Sequence, residues 1–93
     1  MSETPEERRD RLRDQLNAFY EWPTAFTFKF VMPNEAGRIE QLKELFGVTA
    51  EFRMNLSRNG NYIAFTVSEV LPGPDHVFAR YEEAAKIEGI LSF

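Results

Sequence analysis

The side chains that could carry out chemistry are few and stand far apart in this sequence. His76 is the only histidine, and the 93 residues include no cysteine. Without a second imidazole or a thiolate, neither an ordinary zinc site nor a cysteine nucleophile is expected. The carboxylate pairs Glu40 with Glu44 and Glu82 with Glu83 fall on helix faces that we expect to be solvated. The sequence therefore predicts no catalytic residue, no metal ligand set, no cofactor and no enzymatic activity.

Composition also narrows the range of partners. The formal net charge is −4 and the isoelectric point is about 5.0. Binding to phosphates requires a cationic surface, so nucleic acid and anionic membranes are disfavoured as partners. The first residues lead into charged positions and not into an apolar run, which indicates neither a secretory signal nor a membrane span. We expect a cytoplasmic protein.

The leading segment predicts a helix over residues 5–19. Thr4 is placed to cap it, Pro5 suits the first helical position, and Glu7 can complete a capping box. The first half is polar all round, so we expect it to project into solvent. Four arginines face five carboxylates within residues 3–14, which favours a solvated helix with ion pairs such as Glu7 with Arg11. Contact with a partner helix is the alternative.

The dipeptide Asn59-Gly60 predicts a β-hairpin within residues 51–68. A two-residue type I′ turn at this point would need positive φ at both residues. It would place apolar residues opposite one another on one face and polar residues on the other, whereas a one-residue slip would destroy both matches. The apolar pairs are Leu56 with Ile63, Met54 with Phe65 and Phe52 with Val67; the pairs on the other face are Ser57 with Tyr62, Asn55 with Ala64, Arg53 with Thr66 and Glu51 with Ser68.

The rest of the chain alternates between strand and helix patterns. From Thr24 the pattern has period two, with Phe26, Phe28 and Phe30 on one face. Pro33-Asn34 ends this strand, and a helical pattern follows until Gly47. After the hairpin, Gly73 and Pro74 begin another helix, which is followed by Gly89 and a short strand at residues 90–93.

This order predicts an α+β fold. The pattern βαββαβ after the leading helix is the ferredoxin-like arrangement, in which two helices cover one face of a four-stranded antiparallel sheet. Right-handed crossovers give the strand order 4-1-3-2. The apolar hairpin face should then lie under the helices with the phenylalanines of the first strand. We expect residues 1–20 to form a helical extension and residues 21–93 to form the ferredoxin-like domain.

Two stretches resemble the YbeD-like family of small bacterial proteins, a domain of unknown function. They are Trp22-Pro23 with the following strand, and the Ser57 to Val67 hairpin, with its Ser-x-x-Gly-x-Tyr pattern; the match covers about residues 20–93. The resemblance implies a ferredoxin-like fold related to ACT regulatory domains. It implies no established activity, although some members are encoded beside a lipoyl transferase, which suggests a regulatory role near lipoate metabolism. The leading helix and Pro33 depart from the family pattern.

The loop after the first strand is the candidate ligand site. Asn34, Gly37 and Arg38 loosely resemble the ligand loop of ACT domains, where the free N–H groups of a helix start can bind a carboxylate. The alternative is that Asn34 only caps the helix and that Gly37 has no role in binding.

The uncovered sheet face is the candidate interaction site. We expect a non-enzymatic regulatory or adaptor domain that binds an unidentified protein, or a second copy of itself, through this face or through an edge strand. RNA binding there is disfavoured, because Tyr62 faces outwards but Ala64 occupies the second stacking position and Phe65 faces the helices. The face is predicted to include Lys29, Arg53, Asn55, Tyr62 and Thr66.

Overall fold

The computed structural model describes residues 2–93. Within these residues, three helices and four strands follow one another in the predicted order. None of the helices within this range is long and apolar enough to cross a membrane. The elements are α1 (Pro5–Phe19), β1 (Thr24–Pro33), α2 (Ala36–Leu45), β2 (Glu51–Leu56), β3 (Tyr62–Leu71), α3 (Pro74–Ala84) and β4 (Leu91–Ser92).

The four strands form one antiparallel sheet in the order β2-β3-β1-β4. This is the predicted order read from the opposite edge, so the ferredoxin-like α+β fold is confirmed. The central strands β1 and β3 pair along ten residues each, from Thr24 opposite Leu71 to Pro33 opposite Tyr62. The predicted hairpin register is also confirmed, with Met54 opposite Phe65 and Asn55 opposite Ala64.

Alternation along the central strands separates a covered face from an open one. Even-numbered residues of β1 and odd-numbered residues of β3 point towards the helices, and the other set points away. Aromatic and branched side chains fill the covered face and meet α2 and α3, so the core lies between the sheet and these two helices. The buried core residues are Phe28, Phe30, Met32, Leu42, Phe46, Ile63, Phe65, Val67, Leu71, Val77, Ala84 and Ile87.

The predicted type I′ turn is wrong, although the register around it is right. Within residues 2–93, positive φ is confined to glycines; Gly60 has φ of 76°, whereas Asn59 does not reach positive φ. The Gly60 N–H donates to the Ser57 carbonyl at 3.0 Å, and the Ser57 N–H donates to the Tyr62 carbonyl at 2.9 Å. The reversal is therefore a four-residue loop, built on a type I turn that ends in a left-handed glycine. Both loop lengths are compatible with the same strand pairing.

The expectation that the whole apolar hairpin face lies under the helices is also wrong. Phe52 is half-buried, but Met54 and Leu56 are 51% and 63% exposed. β2 is the edge strand, and the helices pack over the central strands β1 and β3. A helix of ten residues such as α2 is only about 15 Å long, so it leaves the outer end of the β2 edge uncovered.

The front of α1 is exposed, as expected, but the helix also contacts α3. Arg13 donates to Asp75 of α3 at 2.8 and 3.1 Å, and Arg9 forms an ion pair with Glu82. Arg11 pairs with Glu3 at 2.9 Å and not with Glu7. The helix contact that the sequence left as an alternative is thus made with α3 of the same chain.

The predicted start of α1 is confirmed in its main features. The Glu7 N–H donates to the Thr4 hydroxyl oxygen at 3.1 Å, and Pro5 occupies the first helical position. The Glu7 carboxylate accepts from the Thr4 hydroxyl at 3.1 Å, where a capping box would have it accept from the Thr4 backbone N–H. The Thr4 and Glu7 side chains therefore bond to each other, and the second backbone bond of a capping box is replaced by this contact.

Candidate interaction face

The open side of the sheet, opposite α2 and α3, is a surface that the helices leave uncovered. Strand pairing arranges its side chains in rows across the sheet. Arg53 of β2 lies opposite Thr66 of β3, and Thr66 lies opposite Lys29 of β1. Because neighbouring strands are about 4.8 Å apart, the backbone positions of Arg53 and Lys29 are about 10 Å apart on one face. We call this surface the interaction face.

One half of the interaction face is polar. A shallow depression of about 290 Å³ lies beside the Arg53 row, between β2, β3 and β1. No ion pair to a carboxylate of residues 2–93 engages Lys29 or Arg53. Both cations are therefore available to acidic groups from outside. The depression is lined by Thr27, Glu51, Arg53, Thr66 and Ser68.

The other half of the interaction face is apolar. Val31 lies opposite both Ala64 and Leu91, which continues the Asn55 row to the edge of the sheet. Leu91 is 59% exposed. The Phe93 N–H donates to the Lys29 carbonyl at 2.9 Å, which places Phe93 beside Lys29 at the end of β4, where it is largely exposed. An apolar patch thus adjoins the two cations.

All five residues predicted for this surface are on it. Asn55, next to Arg53 along β2, lies opposite Ala64, and Tyr62 is half exposed at the start of β3. Phe65 is buried, as the parity of the hairpin predicted. The sequence analysis missed Leu91 and Phe93, although the alternation of residues 90–93 could have assigned them to this face.

The candidate ligand loop is arranged differently. Asn34 does not cap α2: Glu35 is the N-cap residue, without a side-chain capping bond. The Asn34 amide nitrogen instead donates to the Gly60 carbonyl at 2.9 Å, and its backbone N–H donates to the Asn61 carbonyl at 2.9 Å. Asn34 therefore ties the loop to the tip of the hairpin.

The other two loop residues do not converge with Asn34. Gly37 lies in the first turn of α2, and Arg38 forms ion pairs with Glu35 at 2.8 Å and with Glu88 at 3.6 Å. The guanidinium is thus already engaged by two carboxylates of the chain. A ligand-binding role for this loop stays a prediction.

A buried carboxylate that the sequence analysis missed lies on the covered face. Glu69 is 3% exposed, among the apolar residues of β3. Its Oε1 accepts from Arg80 Nε at 2.7 Å, and its Oε2 accepts from Arg80 Nη2 at 3.2 Å and from the Gly47 N–H at 2.5 Å. A Cβ on residue 47 would lie 2.6 Å from Oε2, so a side chain at this position would have to displace the carboxylate oxygen. Glu69 therefore joins β3, α3 and the turn after α2.

The parity of β3 could have revealed Glu69. It stands at an odd position of a strand whose other odd positions are apolar, which predicts a carboxylate facing the core. A buried carboxylate needs a cation or hydrogen-bond donors. The sequence does not show that Arg80 and Gly47 supply them, since both are distant along the chain.

Burial and hydrogen bonding shift the pKa values of Tyr81 and Glu3. Burial raises the pKa of the Tyr81 hydroxyl, and the neighbouring Tyr20 adds a smaller effect in the same direction. The hydrogen bond from Arg11 lowers the pKa of the exposed Glu3 carboxyl. Within residues 2–93, no three histidine, cysteine, aspartate or glutamate side chains are grouped so that they could hold a metal ion.

Comparison with known families gives one match. The model of a family described as a protein of unknown function, DUF493, matches residues 17–93. The matched range covers the sheet, α2, α3 and the end of α1, and it agrees with the YbeD-like resemblance. Searches of curated proteins and of solved structures gave no match.

Proposed function

We propose that this chain, which belongs to the DUF493 family of proteins of unknown function, is a non-enzymatic adaptor or regulatory domain that binds another protein. The contact is made through the interaction face. The main support is that two cations without carboxylate partners, Lys29 and Arg53, lie beside an exposed apolar patch. Both are on the same uncovered surface of the sheet. Exposed apolar surface rimmed by polar residues is typical of protein interaction sites.

The composition of the face specifies the chemistry of the partner. A carboxylate between Lys29 and Arg53 would be attracted by both cations. An aromatic or branched side chain would cover Leu91 and Phe93 and remove their apolar surface from water. We therefore infer a partner surface with an acidic group about one strand spacing from an apolar one.

Glu69, the one carboxylate that is buried within residues 2–93, is consistent with a non-enzymatic role. Both oxygens of Glu69 are held by Arg80 and Gly47, so this carboxylate serves the packing of the fold. The family resemblance suggests regulation near lipoate metabolism, and the partner we propose is then a protein of that process. A thermal-shift screen with lipoate and amino acids tests the ligand-sensor alternative at Asn34, Gly37 and Arg38, because a ligand that binds only the native state raises its stability.

Affinity capture from an extract of the native host tests the proposal. The full-length chain is immobilised as wild type, Arg53→Glu and Arg58→Glu. Arg58 is an exposed arginine in the hairpin loop, outside the interaction face, so its reversal is a matched control for charge. We expect a protein retained by wild type and by Arg58→Glu, and reduced about tenfold or more on Arg53→Glu, because a like charge in place of a complementary one costs over 1.4 kcal/mol.

The other outcomes discriminate among the alternatives. Equal retention by all three forms would remove the interaction face from the contact. Retained RNA in place of protein, lost in Tyr62→Ala, would favour the stacking alternative. Light scattering on the pure protein distinguishes a second copy as partner, since wild type would then be a dimer and Arg53→Glu a monomer.

A further inference from the structure

Helix α1 is held on the domain by exposed ion pairs and by apolar side chains that are only partly buried. None of the residues of α1 is buried. Its attachment includes the ion pairs Arg13 with Asp75 and Arg9 with Glu82, whose carboxylate side chains are 71% and 57% exposed, and the partly buried Leu16, which packs against the core. Exposed ion pairs of this kind contribute little to stability. The helix can therefore leave α3 at small cost to the fold.

The surface beneath α1 is well defined. Asp75, Phe78 and Glu82 follow one another along one face of α3, since residues three and four apart are neighbours on a helix. The guanidinium groups of Arg9 and Arg13 lie 5.3 and 6.0 Å from the centre of the Phe78 ring. The ring thus lies between two carboxylates and contacts both arginines. We call these three residues the α3 stripe.

An apolar groove adjoins the α3 stripe and is only partly filled. It has a volume of about 710 Å³ and lies between α1, α3 and the start of β1. Leu12 and Leu16 of α1 line one side, and Phe26, Val77 and Tyr81 line the other. Closely packed helices leave few voids between them. The open groove therefore shows that α1 covers this surface without filling it.

The match to the family model begins at residue 17. The α3 stripe lies in the matched part, whereas Arg9 and Arg13 lie before it. The stripe thus belongs to the shared domain, and its cover belongs to the added helix.

We propose that the α3 stripe and its groove are a docking site for a basic amphipathic helix of another protein, and that α1 is a displaceable arm that occupies this site in the free chain. The arm itself shows the required pattern. Arg9, Leu12, Arg13 and Leu16 stand at i, i+3, i+4 and i+7, which places two arginines and two leucines on one helical face. Charge complementarity to Asp75 and Glu82, with arginine over Phe78, selects the same pattern in a partner. This site is separate from the interaction face.

A labelled peptide with the sequence of residues 4–19 serves as the probe helix. Full-length Arg9→Glu/Arg13→Glu has its arm repelled by Asp75 and Glu82, so its site is open. We expect it to bind the peptide about tenfold or more tightly than wild type, because in wild type the arm leaves the site free in only a fraction of molecules. Lys43→Glu/Arg58→Glu carries the same charge change at exposed positions of α2 and of the hairpin loop, away from α1 and α3, and it should bind as wild type does.

A second pair of variants locates the site. In the Arg9→Ala/Arg13→Ala chain, whose arm has no charge that could pair with a reversed site, Asp75→Arg/Glu82→Arg should reduce peptide affinity about tenfold or more, whereas Glu83→Arg/Glu88→Arg should leave it unchanged. Circular dichroism checks that each variant folds, and Arg9→Ala/Arg13→Ala releases the arm without repulsion if the glutamate variant does not fold.

Two results would overturn this inference. The first is that wild type and the two variants at Arg9 and Arg13 bind the peptide with equal affinity, or that reversing Asp75 and Glu82 leaves the peptide affinity unchanged. The second is a wild-type dimer that Arg9→Glu/Arg13→Glu converts to monomer, since the occupant would then be α1 of a second copy and not a helix of another protein.

Discussion

Glu69 shows how a single residue joins elements that are far apart in sequence. Its carboxylate accepts hydrogen bonds from Arg80 of α3 and from the Gly47 N–H in the turn after α2. The Arg80 guanidinium also lies 5.7 Å from the centre of the Phe46 ring. Removing one partner of a buried pair leaves a charge without compensation, which is far more damaging than losing an exposed pair. The packing of both helices on the sheet therefore depends on this group.

A double-mutant cycle on Glu69 and Arg80 measures this dependence. Glu69→Ala and Arg80→Ala should each lower the free energy of unfolding by about 3 kcal/mol, with a coupling of about 1–3 kcal/mol. The exposed pair Glu83 with Lys86, at 3.0 Å, is the control, and its coupling should stay below about 0.5 kcal/mol. Urea unfolding gives all the values. Equal couplings for the two pairs would contradict a structural role for Glu69.

Tyr81 makes stability depend on pH in the alkaline range. Burial raises the pKa of its hydroxyl in the folded protein, whereas the unfolded chain releases this proton near the ordinary value of about 10. The stability that Tyr81 contributes is thus fully present below about pH 10 and falls as the pH rises above it. Unfolding free energies of Tyr81→Phe should decline less steeply there than those of wild type. A decline of Tyr81→Phe as steep as that of wild type would contradict this prediction.

For single residues, the sequence predicted the sheet face on which a side chain lies better than it predicted its hydrogen-bond or ion-pair partner. The assignment of Lys29, Arg53 and Tyr62 to the open face follows from alternation, which is local. The hydrogen bond of Asn34 to Gly60 and the ion pair of Arg38 with Glu88 join residues that are distant along the chain. No local pattern specifies such contacts, so the capping role predicted for Asn34 was wrong.

In the hairpin, the alternation of apolar and polar residues determines the strand register, whereas the residues of the loop determine the turn type. The register follows from six pairs that sort into apolar and polar faces, and a slip would bury the polar set. The turn type depends on the φ of two or three residues and on competing side-chain bonds. The Asn59 side chain accepts from the Asn61 N–H and from the Ser57 hydroxyl, each at 3.1 Å. These bonds stabilise the four-residue loop over the two-residue turn.

Gly60 tests the observed loop. Its φ of 76° is strained for any residue with a Cβ, and no atom lies within 4 Å of the place where that Cβ would be. Gly60→Ala should therefore lower the free energy of unfolding by about 1–2 kcal/mol through backbone strain alone. Gly60→Asn is the control at the same position and should lower the free energy of unfolding less than Gly60→Ala does, because asparagine adopts the left-handed conformation more readily than alanine. Thermal or urea unfolding of both variants decides; equal losses would contradict the left-handed turn.

Helix coverage could not be predicted from sequence. The apolar face of β2 suggested a strand under the helices, yet Met54 and Leu56 extend past the cover. Which strands a helix covers depends on its length and on its packing angle, and these are set by contacts between distant elements. The docking of α1 on α3 was likewise beyond a reading of local charge patterns.

In the whole molecule, two distinct surfaces are placed on opposite sides of one small domain. The sheet presents cations and an apolar patch, whereas α3 presents carboxylates and an aromatic ring under a loosely held arm. Oppositely charged surfaces suit different partners, since like charges across a contact are repulsive. We infer that the proposed adaptor would use one of these surfaces for each of two partners.

Site-specific photo-crosslinking in the native host tests the interaction face most directly. Benzoylphenylalanine replaces Tyr62 on the interaction face, and in a control chain it replaces Glu44, an exposed residue of α2 on the helix side. A protein adduct should form from position 62, fall about tenfold or more when Arg53→Glu is added, and be absent from position 44. Adducts of equal yield at both positions, or an adduct at position 62 that Arg53→Glu leaves unchanged, would contradict binding through the open sheet face.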